Sequence, residues 1–534
     1  MKRREFLKAA MTTSVAVTAG SPLSPVPGRM TGQTVASGRA AAPTGAGLGN
    51  ATPPAFQFQA YPGGTGALME KLWQGVADPF RTPRLDVEPW QGPVPGNAED
   101  IAFLPVHRLS GLLKGGHLSP TALLEIYLER LRRHDPALLC VVTMLDGPAR
   151  EQAAEAEREI RRGEWRGPLH GIPYGLKDLF SVPGAPTTWG AADFQQRVID
   201  DEAEVAARLR RAGAVLVAKL STGEFARGDR WYRGQTRNPW NPSEGSSGSS
   251  AGPASATAAG CVAFAIGSET QGSIVSPARR CGLSALRPTF GRVSRHGGMV
   301  LAWSMDKVGP LCRSVEDCAL VFDAIHGADE KDPASLTTPF NFSRTPELPT
   351  LRIGYRDDAP ASVLDTLRRL GAEPEPMPEL PDGSSNALRV ESAVAFDFHI
   401  GPNGDPPPLS DGLSADELRR ANRFRTGRDI RALDYVQEQR GRFTLMQQTE
   451  AAFDGFDLCV SGSGLITLTN QTGHPAVVVP YGFGPRAAAG APPHDQPLTA
   501  TLIGNLFADD VVLSVAHSFQ QATEWHLRRP ALFL

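Results

Sequence analysis

The stretch NPSEGSSGSSAGPASATAAGCVAFAIGSETQGSIVSPARRCGLSALRP, Asn241 to Pro288, is the one around which the rest of the chain is organised. It opens on interleaved Ser and Gly, Ser243 to Ser250. It passes without a break into a small-residue segment, Ala251 to Gly260, and an apolar one, Cys261 to Ile266. It closes on the turn Gly272-Ser273, with Pro277 shortly after. A flexible linker is Gly/Ser-rich throughout, whereas this Gly/Ser loop feeds Ala-rich and Val/Ile/Phe segments that must be buried. A loop clamped between buried elements can hold a hydroxyl in a fixed pose.

A second informative stretch lies upstream, GIPYGLKDLF, Gly171 to Phe180. Ile172 to Leu176 reads as a strand, with Lys177 at its end and Asp178 beside it. A Lys at the end of a buried strand loses part of its hydration, which lowers the ammonium pKa, and a neutral amine is a competent general base. The plainer reading is a surface Lys paired with Asp178. Lys219, after the run Ala214-Val-Leu-Val-Ala218, is a site of the same type, and spacing does not choose between the two lysines.

Around these stretches the chain reads as a layered α/β protein. Ser119 is an N-cap with Pro120 at the first helical position, and Leu123, Leu124, Tyr127, Leu128 and Leu131 mark an amphipathic helix. Arg130-Leu131-Arg132-Arg133 reads as a solvated face of it. Pro148 to Arg162 is a charged surface helix, and Asp201 to Ala212 another, stopped by Gly213. Ala214 to Ala218 is a buried strand. Helix followed by buried strand, repeated, predicts a central mixed β-sheet covered by α-helices on both faces. The C-terminal segment Asp509 to Arg529, with Val512, Val515, Phe519 and Ala522 on one stripe, should pack back onto it. Gly401 to Asp411 and Phe483 to Gln496 read as loops.

Of the 534 residues, 41% are hydrophobic and 21% charged, which predicts a sizeable buried core. The net charge of -3 gives no electrostatic case for nucleic acid or an anionic membrane surface. The six Cys (140, 261, 281, 312, 318, 459) fall in no disulfide framework or zinc spacing, and Cys261 and Cys281 read as core thiols. At the N-terminus, Arg3-Arg4 precede Phe6-Leu7 and a mildly apolar run, Ala9 to Ala19. This pattern resembles a twin-arginine (Tat) export signal, expected over residues 1–30, which would take the protein through the Tat export machinery to the periplasm or outside. Residues 31–95 read as a Gly/Pro-rich linker and N-terminal arm, with Trp73 and Trp90 as anchors. No other stretch is apolar for the ~18 residues that a membrane span needs.

Several segments together resemble the amidase signature family. They are GPLHGIPYGLKD (Gly167 to Asp178), GSSGSSAG (Gly245 to Gly252), GSETQGSIVSPA (Gly267 to Ala278) and LRPTFGRVSRHG (Leu286 to Gly297), in the family's order and spacing. VGPLCRSVEDCALVFDAIHG (Val308 to Gly327) and TNQTGHPAVVVPYGF (Thr469 to Phe483) are similar to family segments as well. The resemblance places an amidase domain over 96–534, with its signature core at about 167–330, nearest to the peptide amidase-like branch.

What the resemblance implies is a Ser-cisSer-Lys triad, a variant of the Ser-Lys solution to nucleophile activation. The nucleophile would be Ser273, the bridging residue Ser249 after a cis Gly248–Ser249 peptide, and the base Lys177. Backbone N–H groups of Thr270, Gln271, Gly272 and Ser273 would form the oxyanion hole, and Ser250 would support the triad by hydrogen bonding. The implied activity is hydrolysis of the C–N bond of a small-molecule or peptide carboxamide, by a monomer or homodimer. No cofactor and no metal is implied. This chain departs from the family in carrying Gln271-Gly272 where many members have Gly-Gly, and Pro253, which should shift the start of the following helix. Gln271 could also touch substrate. His170, His296 and His474 are expected to be structural.

Other readings are distinguishable. Gly248-Ser-Ser-Ala-Gly252 formally matches the G-x-S-x-G elbow of an α/β-hydrolase with Ser250 as nucleophile, but such an elbow follows a buried strand and Pro-Ser-Glu-Gly-Ser-Ser precedes this one. Esterase or aryl acylamidase activity on the same triad is an alternative. An amidotransferase A-type subunit releasing ammonia from glutamine is another, against which the export signal and the lack of a basic surface speak. A non-catalytic binding protein on the same scaffold is disfavoured by the complete triad.

Overall fold

The computed structural model describes residues 70, 85–383, 386–397, 426–488 and 491–533. The expected export signal, most of the linker and the Gly401 to Asp411 loop lie outside the described residues.

Eleven strands form one sheet. In chain order they are β1 (Val141–Met144), β2 (Pro173–Lys177), β3 (Val215–Leu220), β4 (Phe264–Glu269), β5 (Ser284–Arg287), β6 (Lys307–Cys312), β7 (Ile353–Tyr355), β8 (Glu375–Pro376), β9 (Leu458–Ser461), β10 (Ala476–Ala488) and β11 (Ala491–Gly504). Their order across the sheet is β1-β3-β2-β4-β6-β5-β10-β11-β9-β7-β8. The β3-β2-β4 and β9-β7-β8 neighbours run parallel and the remaining pairs antiparallel, so the sheet is mixed, as the sequence predicts.

Strand pleating distributes the core between two faces. Phe264 and Ile266 of β4 and Val477 and Val479 of β10 join one hydrophobic cluster. Their neighbours Ala265 and Val478 point the other way into separate clusters. Strands that bury both sides need helices on both sides. One face receives Val205 and Leu209 of helix Glu204–Arg211 and Val512, Val515 and Phe519 of helix Asp509–Gln521. The other receives Leu124, Leu128 and Leu131 of helix Pro120–Leu138 and Ala256 of helix Ala251–Ala258. Ser119 caps its helix as expected, its hydroxyl accepting from the Ala122 N–H.

Four expectations need correction. Arg130 is not on a solvated face: it is buried and donates to the carbonyls of Gly260, Ala259 and Phe533, at 2.8, 2.8 and 2.6 Å, which stitches the end of the chain to the loop after helix Ala251–Ala258. Phe483 to Gln496 is not a loop over its described residues: 483–488 and 491–496 lie in the β10–β11 ladder, hidden in the sequence by their Pro and Gly content. The C-terminal helix ends at Gln521 and not Arg529, which leaves Ala522 exposed. Pro253 does not delay its helix, which starts at Ala251; Pro253 sits in the first turn, where no intrahelical acceptor needs its N–H. All six Cys are buried free thiols.

Candidate active site

Parallel strands β2 and β4 end side by side, and the candidate residues collect at their carboxyl ends, where ligands bind in sheets of this kind. Register separates the two lysines. Lys177 pairs with Leu220, and Leu176 with Lys219, so Lys177 and Lys219 project from opposite faces of the sheet. On one face Lys219 Nζ lies 2.7 Å from Asp178, with both side chains fully buried. Asp178 is thereby occupied, and it also accepts from the Thr188 N–H. The Lys177–Asp178 pairing that local sequence suggests does not form.

On the other face Lys177 Nζ donates to Ser249 Oγ at 2.9 Å, to Ser268 Oγ at 3.0 Å and to the Ser268 carbonyl at 3.2 Å. Among the described residues no carboxylate comes within ion-pair distance of it. Burial therefore dominates its titration and lowers the amine to about 7, partly opposed by the fields of Asp306 and Glu269.

The Ser/Gly loop that carries Ser249 is held from several sides. Ser247 N–H donates to Asp229 Oδ2 at 3.0 Å, Ser246 N–H to the Thr236 carbonyl, and the Ser249 carbonyl accepts from Gly223 N–H. The Gly248–Ser249 peptide is cis. A Cβ at position 248 would lie 1.8 Å from the Gly228 carbonyl oxygen, so only Gly fits there. Ser250 is buried, and its Oγ donates to the Ser268 carbonyl at 3.1 Å and accepts from the Ser268 N–H at 3.2 Å. It starts a helix but follows a two-stranded ribbon, Arg237–Asn238 with Asn241–Gly245, and not a strand of the central sheet.

Ser273 lies in the turn after β4, 9% exposed, with its carbonyl accepting from Ser250 N–H at 3.1 Å. Gly272 before it has φ 93°, a conformation that favours Gly. The backbone N–H groups of Thr270, Gln271, Gly272 and Ser273 donate to no other described residue. The side chains of this turn point outward to anchors: Thr270 Oγ1 donates to Asp306 Oδ1 at 2.5 Å, and Gln271 Nε2 donates to Thr467 Oγ1 at 3.2 Å.

Residues that sequence reasoning passed over complete the setting. Glu269 Oε2 accepts from the N–H groups of Ile274 and Val275, at 2.8 and 2.9 Å, so its carboxylate spans the turn that carries Ser273. Its other oxygen takes Asn470 Nδ2 at 2.7 Å and Arg287 Nη1 at 3.2 Å. Asp306 accepts from the N–H groups of Leu301 and Ala302 as well as from Thr270. Ser268 and Glu269 lie inside the quoted Gly267 to Ala278 stretch and were legible as positions; Asp306, which reaches Thr270 from the start of β6, carries no local signal. His170 hydrogen-bonds Glu159, His474 hydrogen-bonds Thr472, and His296 Nε2 lies 2.9 Å from the Asp201 carboxylate, each outside the triad.

Comparison with known proteins gives a consistent picture. The sequence model of the family described as Amidase matches residues 122–373. The A-type subunit of glutamyl-tRNA(Gln) amidotransferase from Methylococcus capsulatus is 32% identical in a match that covers 79% of this chain and 98% of that one. The structure of native peptide amidase from Stenotrophomonas maltophilia aligns with TM-score 0.66 and 30% identity, covering 80% of this chain and 98% of that chain. 6-Aminohexanoate cyclic dimer hydrolase, at 23% identity and TM-score 0.69 over 81% of this chain and 100% of that one, shares the fold.

Proposed function

The chain belongs to the amidase family, an enzyme of carbon–nitrogen bond hydrolysis in amides, and from that premise we propose that Lys177, Ser249 and Ser273 act in series as base, relay and nucleophile. The observation that carries the reading is the amine of Lys177, 2.9 Å from Ser249 Oγ and with no carboxylate in ion-pair reach among the described residues, while the neighbouring Asp178 is taken by Lys219.

A serine hydroxyl is a poor nucleophile until its proton is removed. Once neutral, Lys177 keeps its two N–H bonds for Ser268 and turns its lone pair to Ser249, whose proton it takes; Ser249 takes that of Ser273, since a hydroxyl both donates and accepts. Ser273 Oγ attacks the amide carbon and its oxygen becomes the oxyanion. The uncommitted N–H groups of Thr270 to Ser273 are the donors for it, each worth about 3 kcal/mol in the transition state. The proton returns through Ser249 to the leaving nitrogen, the C–N bond breaks, and water releases the acid by the same relay. Purified protein is assayed on C-terminally amidated peptides, acyl anilides and short aliphatic amides. Ser273→Ala should abolish turnover of all of them, and fluorophosphonate should label Ser273; turnover surviving in Ser273→Ala would sink the assignment.

The amidotransferase chains among the relatives favour a second reading, ammonia release from glutamine within a complex. What supports the simple hydrolase instead is the twin Arg3-Arg4 start, which would carry the protein away from the cytoplasm. Cell fractionation separates them: the protein should appear in the periplasm or medium and stay inside when both arginines are replaced by Lys. Glutaminase activity that needs added partner subunits would revive the second reading.

A further inference from the structure

Beside the triad the fold leaves a cavity of about 330 Å3. It meets the site at Ser268, which holds Lys177 Nζ, and at Thr270, where the nucleophile turn begins. One wall is Leu179, Ala226, Met299 and Leu301. These four form one hydrophobic cluster with the buried Phe396, against which the half-buried Phe225 and Trp189 pack. Trp303 lines the same cavity and is 47% exposed, which continues apolar surface outward.

The buried charged groups that line the cavity are committed to partners, and Lys331 sits at its exposed rim. Arg295 donates to both carboxylate oxygens of Asp332, at 2.8 and 2.7 Å. His296 Nε2 is 2.9 Å from Asp201, and Lys331 Nζ 3.9 Å from the same carboxylate. Asp306 is taken by Thr270, Leu301 and Ala302. Lys307 donates to the Met305 carbonyl, and burial holds its amine well below the usual range.

We propose that this cavity receives the acyl half of the substrate, and that the acyl group it selects is uncharged and apolar, of aryl-alkyl size. The inference rests on the amidase reading above and names its substrate class. An apolar cavity of about 150 Å3 holds a benzene ring, so this one has room for a ring and a short linker. A carboxylate or ammonium carried past the Lys331 rim to the Leu179, Ala226, Met299 and Leu301 wall would be buried without a free counter-charge, which is costly. Assignment to the acyl half follows from the relay. Ser249 must deliver its proton to the leaving nitrogen, so the amine faces Ser249, and the cavity, whose lining does not include Ser249, is left for the other substituent of the reacting carbon.

The test uses purified full-length protein and two series of amides. In the first, aniline is fixed and the acyl group is acetyl, butyryl, 4-phenylbutyryl or the carboxylate-bearing succinyl; in the second, 4-phenylbutyryl is fixed and the amine varies. Free glutamine is added as a zwitterionic amide. We expect kcat/KM to rise at least about tenfold from acetyl to 4-phenylbutyryl, the discrimination that a single methylene can already supply in an apolar pocket. Succinyl anilide should be no better than acetyl anilide. Met299→Trp, which fills the cavity, should lower the ratio of 4-phenylbutyryl to acetyl at least about tenfold; if that variant does not accumulate, the wild-type series still decides. A flat response to the acyl group, a preference for succinyl anilide or glutamine, or rates that follow the amine alone would overturn the proposal while leaving the amidase reading intact. Failure to hydrolyse any amide, with no label on Ser273, would overturn both.

Discussion

Replacing Lys177 by Met should remove activity and at the same time raise thermal stability. Folding holds this amine at about 7, below its ordinary 10.5, so between those values the unfolded chain binds a proton that the folded chain does not. Stability therefore rises with pH across that window, and the deficit is fully present below about 7. Scanning calorimetry should find Lys177→Met more stable than wild type at pH 6 to 7, with the gain shrinking as pH rises towards 10. No gain at any pH would mean that the amine is not held neutral. Lys219→Met should act in the opposite sense. It leaves the buried Asp178 carboxylate without its cation, and breaking such a pair costs about 3–5 kcal/mol, to be read from urea denaturation. The choice between these lysines was not legible in either residue's surroundings, because both end apolar runs. It is made by one step of register between β2 and β3, which is a property of pairing and not of either strand alone.

At the scale of elements, the turn that carries Ser273 is fastened by its ends. Glu269 closes it from the β4 side onto the first N–H groups of the next helix, and Asp306 holds the Thr270 hydroxyl. Glu269→Gln should therefore have two effects. It leaves the buried Arg287 without its carboxylate, at a cost of about 3–5 kcal/mol. It also removes a field that raises the Lys177 amine, so the acid limb of the kcat/KM profile should move to lower pH. A profile that stays in place in a folded variant would show that this carboxylate does not reach the base. The Ser/Gly loop and the strand ending in Lys177 could be read from sequence because each is a contiguous run with a turn or apolar pattern of its own. The β10–β11 hairpin could not, since Pro485, Pro492, Pro493 and the glycines near them carry loop composition inside a ladder fixed by partner strands.

For the whole molecule, the eleven-stranded mixed sheet with helices on both faces follows from strands that are apolar on both sides, and that much was predictable. The way the chain end is tied back was not. Arg130, which helix periodicity places beside solvated arginines, instead holds the carbonyls of Ala259, Gly260 and Phe533. Its partners lie 129 residues or more away in sequence, beyond the reach of any local pattern. Arg130→Met should cost about 1–3 kcal/mol for each buried acceptor left without a donor. Equal stability of Arg130→Met and wild type in urea would contradict this role.

The direct test of the relay is the rate at which a fluorophosphonate modifies the protein as a function of pH, with the modified residue located by mass spectrometry. The account expects the label on Ser273, a rate that climbs through a single titration near 7, and near-complete loss of labelling in Lys177→Met while that variant stays folded. Labelling of another serine, or a rate on Ser273 that is the same with and without Lys177, would contradict it.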